Sequence, residues 1–373
     1  MLDVRALWIR LAPGLAGRDP FRCPSACVVA ALLGAVLVTG CQVQRTLAPE
    51  STRQLRVART LRVVVRPASS VVTWAPDGQR LAYSAAGNIW VSDLTGTERA
   101  IASVATPRAI SWSKPLDLLA LIDGGVVWTM RPDGSARKRM PLPGVAVDVV
   151  WAPGSDRLAV VLVHATDGDP RFELWLTNRD GGFQRLVIQA PRGSAIRDLQ
   201  WFPDSLYLFY GLSAQTDQII TDAWRVRIAY PDRHQATIAG GARFLRLAPS
   251  GRLIAYLQGP DVGNGRGQVL VARPDGSGRV LLTSALERVD GLAWAPQGDK
   301  LAVAGLRTAT DADLSMTNAD GSDQTHLFSF TTEGPESTPL LSLLWNPNGR
   351  GIAVGTNTGG LTGPIWFIEL TRR

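Results

Sequence analysis

Three features of the 373-residue sequence predict an all-β fold, a seven-bladed β-propeller of four-stranded blades with its ring closed by an N-terminal strand. A phrase of the form apolar-x-Trp-x-Pro-x-Gly-x-x-Leu-Ala recurs along the chain. Asp-Gly turn signals follow most copies at a similar distance. One apolar strand ahead of the first copy has no partner of its own, and the last copy is one strand short.

The chain opens with a different kind of segment. Arg5, Arg10, Arg18 and Arg22 precede an uncharged run from Ala26 to Thr39, ACVVAALLGAVLVT. A basic head, a short apolar run and small residues before a cut site predict a secretory signal peptide over residues 1–40. The run falls short of the roughly 20 residues that span a bilayer as a helix. Val38-Thr39-Gly40-Cys41 resembles the bacterial lipobox. That resemblance implies a mature chain that begins at Cys41 and is lipidated there, extracytoplasmic and held to a membrane on its periplasmic or outer face. Cys23 and Cys27 fall within the segment to be removed, so no disulfide is expected in the body. Residues 41–59 read as a polar tether in which Arg45, Arg53, Arg56 and Arg59 can lie against anionic headgroups or remain solvated.

The repeats follow, with the propeller expected over residues 60–373. They read VTWAPDGQRLAY at Trp74, ISWSKPLDLLAL at Trp112, VVWAPGSDRLAV at Trp151 and LQWFPDSLYLFY at Trp201. LRLAPSGRLIAY at Leu247, LAWAPQGDKLAV at Trp294 and LLWNPNGRGIAV at Trp345 complete the set. The spacings of 38, 39, 50, 46, 47 and 51 residues match a four-stranded blade. In each copy an apolar strand ends at the Trp slot, and Pro with Gly or Asp enforces a tight turn into a second strand. The third strand ends in signals such as RPDGSA near Gly134 and NADGSD near Gly321, read as two-residue hairpins, and a more polar fourth strand follows. The Trp slots and the residues two before them (Val72, Ile110, Val149, Leu199, Leu245, Leu292 and Leu343) are expected to pack between blades. The seventh copy has three strands, and Leu61–Arg66 supplies the fourth, removing two open sheet edges.

WAPDGQRLAY with NIWVSDLTG, and WAPQGDKLAV with NADGSD, resemble the TolB-like, WD-related propeller repeats of bacterial envelope proteins. The resemblance covers Leu61 to Arg373 and is specific for fold rather than function. TolB has a separate α/β domain ahead of its propeller, for which the tether leaves no room.

The net charge of +7, about +5 without residues 1–40, is carried almost wholly by arginine, and no nucleic-acid partner is expected. There is no G-x-S-x-G and no H-E-x-x-H, and the three histidines, His164, His234 and His326, read as solvent-facing loop residues. Asp167 with Asp169, Asp311 with Asp313 and Asp320 with Asp323 read as turn residues rather than calcium ligands. No catalytic residue, metal or cofactor is therefore expected. One constellation stands out: Arg108, Asp148, Arg197, Asp198, Arg243 and Asp290 lie three or four positions before the Trp slot. On innermost strands they would ring a channel mouth and form a recognition surface for an extended peptide or small anionic ligand. The reading is a membrane-tethered binding or scaffold protein whose partner is an envelope protein or peptide. A propeller enzyme acting on a sugar, lactone or other small substrate, and an accessory sensor for a membrane signalling protein, stand as alternatives.

Overall fold

A computed structural model describes Thr52 and residues 55–372, apart from 70, 167, 229–232, 283–285, 309–310, 332–339 and 357–362. The expected signal peptide, Cys41 and the tether before residue 55, Thr52 excepted, lie outside the described residues. The described residues contain no α-helix, and none of their helices is long and apolar enough to cross a membrane.

The first strand, β1 (Leu55–Ala68), belongs to the last blade. Blade 1 follows as β2 (Val72–Trp74), β3 (Arg80–Ala85), β4 (Asn88–Asp93) and β5 (Glu98–Ser103). Blade 2 is β6 (Pro107–Trp112), β7 (Leu119–Asp123), β8 (Val126–Met130) and β9 (Lys138–Arg139). Blade 3 is β10 (Val145–Trp151), β11 (Arg157–Thr166), β12 (Asp169–Asn178) and β13 (Gln184–Gln189). Blade 4 comprises β14 (Ser194–Trp201), β15 (Tyr207–Ala214), β16 (Ile220–Arg227) and the first part of β17 (Arg233–Leu247). From Ala242 onward β17 pairs instead with β18 (Ile254–Gln258), so one continuous strand is outermost in blade 4 and innermost in blade 5. Blade 5 continues with β19 (Gln268–Ala272) and β20 (Val280–Leu282). Blade 6 is β21 (Arg288–Trp294), β22 (Lys300–Leu306), β23 (Asp311–Asn318) and β24 (Thr325–Thr331). Blade 7 is β25 (Leu340–Trp345), β26 (Gly351–Thr356), β27 (Gly363–Arg372) and β1.

The hydrophobic core comes as seven clusters, one between each pair of neighbouring blades. The blade 7–blade 1 cluster joins Val63, Val64, Ile365 and Phe367 to Trp74, Leu81 and Tyr83, which closes the ring. Each Trp slot, Leu247 included, packs in the cluster shared with the preceding blade, as do the residues two before it. Three indoles also donate across that interface. Trp74 Nε1 reaches Leu344 O at 3.3 Å, Trp201 Nε1 reaches Val150 O at 3.1 Å and Trp294 Nε1 reaches Arg246 O at 3.0 Å. In each case the acceptor immediately precedes the neighbour's own slot. At three of the slots the tryptophan is thus an interblade hydrogen-bond donor as well as a packing knob.

The closing strand is longer than expected. β1 pairs with β27 from Leu55 opposite Arg372 to Ala68 opposite Gly363, so the last five residues assigned to the tether are strand. Arg56 and Arg59 belong to the sheet, and Arg59 pairs with Glu369. Thr52, fully buried, hydrogen-bonds through its Oγ1 to that of Thr325. Arginines at the rim of an outer strand read as linker in the sequence, yet ladder bonds and a carboxylate partner accommodate them.

The third-to-fourth strand hairpins also differ from expectation. In Arg131–Ser135, Gly134 N donates to Arg131 O at 2.9 Å and Arg131 N to Ser135 O at 2.9 Å. Gly134 has φ 85°, and Asp133 is not among the positive-φ residues. The loop therefore has three residues with glycine alone in the left-handed region, a type I turn with a bulge. The aspartate serves the turn through its side chain instead. Its Oδ1 accepts the amide two residues on, at 2.8 Å for Asp133, 2.9 Å for Asp275 and 2.9 Å for Asp320. Asp320 is accordingly a turn residue, as expected.

Candidate functional site

The first strands of successive blades touch one another around the ring, from β2 through β6, β10, β14, β17, β21 and β25 back to β2. These innermost strands carry the six charged candidates. In six of them the ladder to the second strand is broken by a bulge, and the bulge lies where the candidates lie. Arg108 and Asp290 are themselves the extra residues, between Pro107/Ala109 and Val289/Gly291. Asp148 follows the extra Val147, Asp198 lies inside the bulge of β14, and Arg243 is the last regular residue before that of β17. A bulge re-aims side chains and changes the in–out parity of the strand, so alternation no longer predicts where these residues point.

Two of the aspartates tie inner strands together. Asp198 Oδ2 accepts the amide of Leu245 at 2.9 Å, and its Oδ1 takes Arg246 Nη1 at 3.0 Å. Asp198 adopts φ 48°, a left-handed conformation that aspartate tolerates better than most residues. Gln200 adds two further bonds over the same interface, from its Nε2 to Leu245 O at 3.0 Å and to its Oε1 from Leu247 N at 2.8 Å. One interface back, Asp148 accepts the amide of Val149 at 2.8 Å and that of Leu199. Leu199 and Leu245 hold the same place in successive repeats, two before the slot. Desolvation pushes the Asp148 carboxyl up to about 6, the two amides hold it back, and the nearby Asp198 charge adds to the rise.

The remaining candidates divide. Asp290 is paired bidentately with Arg288, Nε–Oδ1 at 2.9 Å and Nη2–Oδ2 at 3.3 Å; burial raises its pKa while Arg288 opposes the rise. Arg243 donates from Nη1 to Gly263 O at 2.6 Å and lies 4.9 Å from the Phe244 ring centroid. Arg197 turns into its own blade, reaching Ser213 Oγ at 3.2 Å and Asp217 O at 3.2 Å. The structure therefore brings Arg108, Asp148 and Asp198 into one arc, places Asp290 within the field of Arg243, and sets Arg197 apart.

Arg108 differs from the other five. Its side chain is exposed, and its Nε donates to Val147 O in the next blade at 3.1 Å. It lines a cavity of about 310 Å3 with Thr106, Pro107, Gly125, Val145, Ala146 and Val147, between blades 2 and 3 where the inner strands begin. Val145 is 56% exposed there. Sequence reading missed Val145, which is the first residue of β10, paired with Val163 and set beside Gly125.

The histidines are not loop residues. His164 lies within β11, with Nε2 3.0 Å from Glu173 Oε2 but without hydrogen-bond geometry; that carboxylate accepts Trp175 Nε1 at 2.8 Å and Gln189 Nε2 at 3.2 Å. His326 lies in β24, its Nε2 2.9 Å from Ser329 Oγ and 3.6 Å from Asp313 Oδ1, and His234 falls within β17. Polar residues near strand ends resemble turns in sequence, and here the strands run on through them. Among the described residues no group of three or more His, Cys, Asp or Glu side chains is placed to hold a metal.

No family model matches the chain. Among solved structures, an oligogalacturonate lyase in complex with manganese aligns at TM-score 0.65 and 13% identity, over 85% of this chain and 95% of that one. An oligogalacturonate lyase from Vibrio parahaemolyticus aligns at TM-score 0.64 and 11% identity, over 82% of this chain and 90% of that one. A putative TolB structure from Agrobacterium tumefaciens aligns at TM-score 0.48 and 20% identity, over 75% and 95%. The two lyase likenesses are likenesses of fold, and agree with the all-β propeller built from the strands above.

Proposed function

We propose that this chain is an extracytoplasmic binding propeller of TolB-like kind, held to a membrane by lipid on Cys41, whose partner is an envelope protein or peptide. The supporting observation is the division among the channel charges. Asp148, Asp198 and Asp290 are engaged within and between blades, whereas Arg108 stands exposed beside an exposed Val145 at a cavity. An exposed apolar side chain next to an oriented guanidinium suits recognition better than it suits folding. The experiment is capture of the tethered protein from cross-linked membranes beside a Cys41→Ala control. Recovery of an envelope protein that depends on anchoring supports the reading, and recovery of nothing specific counts against a protein partner.

A second reading, an enzyme acting on a sugar or other small substrate, has one observation in its favour. His164 Nε2 lies 3.0 Å from Glu173, a carboxylate held by Trp175 and Gln189, and an imidazole beside a carboxylate is the pairing that general-base chemistry uses. Incubation with oligogalacturonate and manganese tests it: new unsaturated ends that vanish in His164→Ala favour the enzyme.

A further inference from the structure

We infer that the cavity between blades 2 and 3 binds the C-terminal residue of a polypeptide, its carboxylate on Arg108 and its apolar side chain against Val145. The inference rests on the binding reading above and names the part of the partner that is bound.

The walls of the cavity are fixed before any ligand arrives. Asp123 Oδ1 accepts the amides of Ala105 and Thr106 at 3.0 and 2.8 Å, and Thr106 Oγ1 accepts Gly124 N at 3.1 Å, so Thr106 and Pro107 are held. Across the cavity Ala146 N donates to Gly125 O at 2.8 Å, which joins the start of β10 to the turn of blade 2. Gly125 has φ 75°, and a Cβ on it would come within 2.5 Å of Val145 Cγ1. A larger residue would therefore push Val145 out of its place.

Arg108 is held with equal definition. Its Nε is committed to Val147 O, which fixes the plane of the guanidinium. Among the described residues Nη1 and Nη2 have no hydrogen-bond acceptor, which leaves both donors open to a ligand in the cavity that Arg108 lines. A carboxylate is the group that fits such a fork bidentately. The apolar neighbours Pro107, Val145 and Val147 call for a hydrocarbon group attached close to that carboxylate. A chain end with an aliphatic last residue supplies both, and about 310 Å3 lies at the small end of ligand pockets. An internal segment of chain supplies no carboxylate at its backbone.

The test is fluorescence anisotropy of the full chain carrying Cys41→Ala, with labelled Ala-Ala-Ala-Val as the free acid, the same peptide as the C-terminal amide, and N-acetylvaline as competitor. The free acid is expected to bind at least about tenfold more tightly than the amide. Arg108→Gln is expected to abolish that difference, while Arg252→Gln, an exposed arginine on another blade, leaves it intact. A circular-dichroism melt checks that Arg108→Gln is folded, and Val145→Ser weakens the apolar contact without adding a charge beside the guanidinium. Equal binding of acid and amide, no saturation with either, or discrimination that survives Arg108→Gln overturns the inference. Competition by N-acetylvaline as strong as that of the peptide overturns the chain-end assignment in favour of a free small acid. An envelope protein captured from membranes together with equal binding of acid and amide would leave the binding reading standing and remove this inference alone.

Discussion

Asp198 Oδ2 accepts the backbone amide of Leu245 at 2.9 Å, joining the innermost strands of blades 4 and 5 at the point where both strands bulge. This carboxylate acts as a strut between the two inner strands. Asp198→Ala leaves the Leu245 amide without its acceptor, removes one of the two acceptors of Arg246 Nη1, and places alanine at positive φ. The expected loss is about 2–3 kcal/mol. Asp198→Asn keeps one acceptor and tolerates the same φ, and is expected to cost less than half as much. Chemical denaturation of the two variants checks the order.

The tryptophans offer a matched comparison. Trp201 Nε1 donates to Val150 O, whereas among the described residues Trp151 Nε1 has no hydrogen-bond partner. Both rings are buried between blades. Trp201→Phe is expected to cost about 1 kcal/mol more than Trp151→Phe, the worth of one interblade hydrogen bond. Equal losses in the two unfolding curves would show that packing alone holds the slot.

The pH dependence of stability has two opposed parts. Asp148 titrates at about 6 in the fold, above the ordinary carboxylate value, so the unfolded chain releases that proton first. Its contribution is complete below about pH 4 and is lost as the pH rises through 6, by on the order of 3 kcal/mol. The turn aspartates Asp93, Asp275 and Asp320 lie below the ordinary value because the hydroxyl and amides of their own turns bond the carboxylate. Their contribution is present above about pH 4 and is lost as the pH falls below it. The melting temperature is expected to peak near about pH 4–5 in this respect, and Asp148→Asn is expected to flatten the decline toward pH 7.

Closure by β1 gives a further expectation. Val64 is fully buried in the cluster that joins blades 7 and 1. Val64→Asp places an unpaired carboxylate there and is expected to cost roughly 3 kcal/mol or more. Val65, 62% exposed on the same strand, should accept aspartate with little change. Thermal melts of the pair separate ring closure from a merely apolar strand.

The ring was legible in the sequence because each blade spells the same turn and slot, and because Leu61–Arg66 matched the missing fourth strand. Its start at Leu55 was not legible, since Arg56 and Arg59 carry the polarity of a linker. The channel constellation was legible as a set of charges at one repeat position. Its roles were hidden by the bulge, which puts two residues opposite one and removes the period that sequence reading relies on. Nothing local in the sequence reveals that Asp198 meets Leu245, forty-seven positions away. His164 was misplaced for a similar reason: its partner Glu173 lies across a hairpin whose strands run further than in other blades.

Under the proposal Arg108 is a recognition group and Asp198 a strut, and a paired measurement decides whether that division holds. Arg108→Gln and Asp198→Ala are each assayed for melting temperature and for capture of the membrane partner. Arg108→Gln is expected to melt with the parent chain and lose the partner, whereas Asp198→Ala melts several degrees lower and keeps the partner while folded. Loss of the partner in Asp198→Ala at full stability, with capture unchanged in Arg108→Gln, would contradict the division.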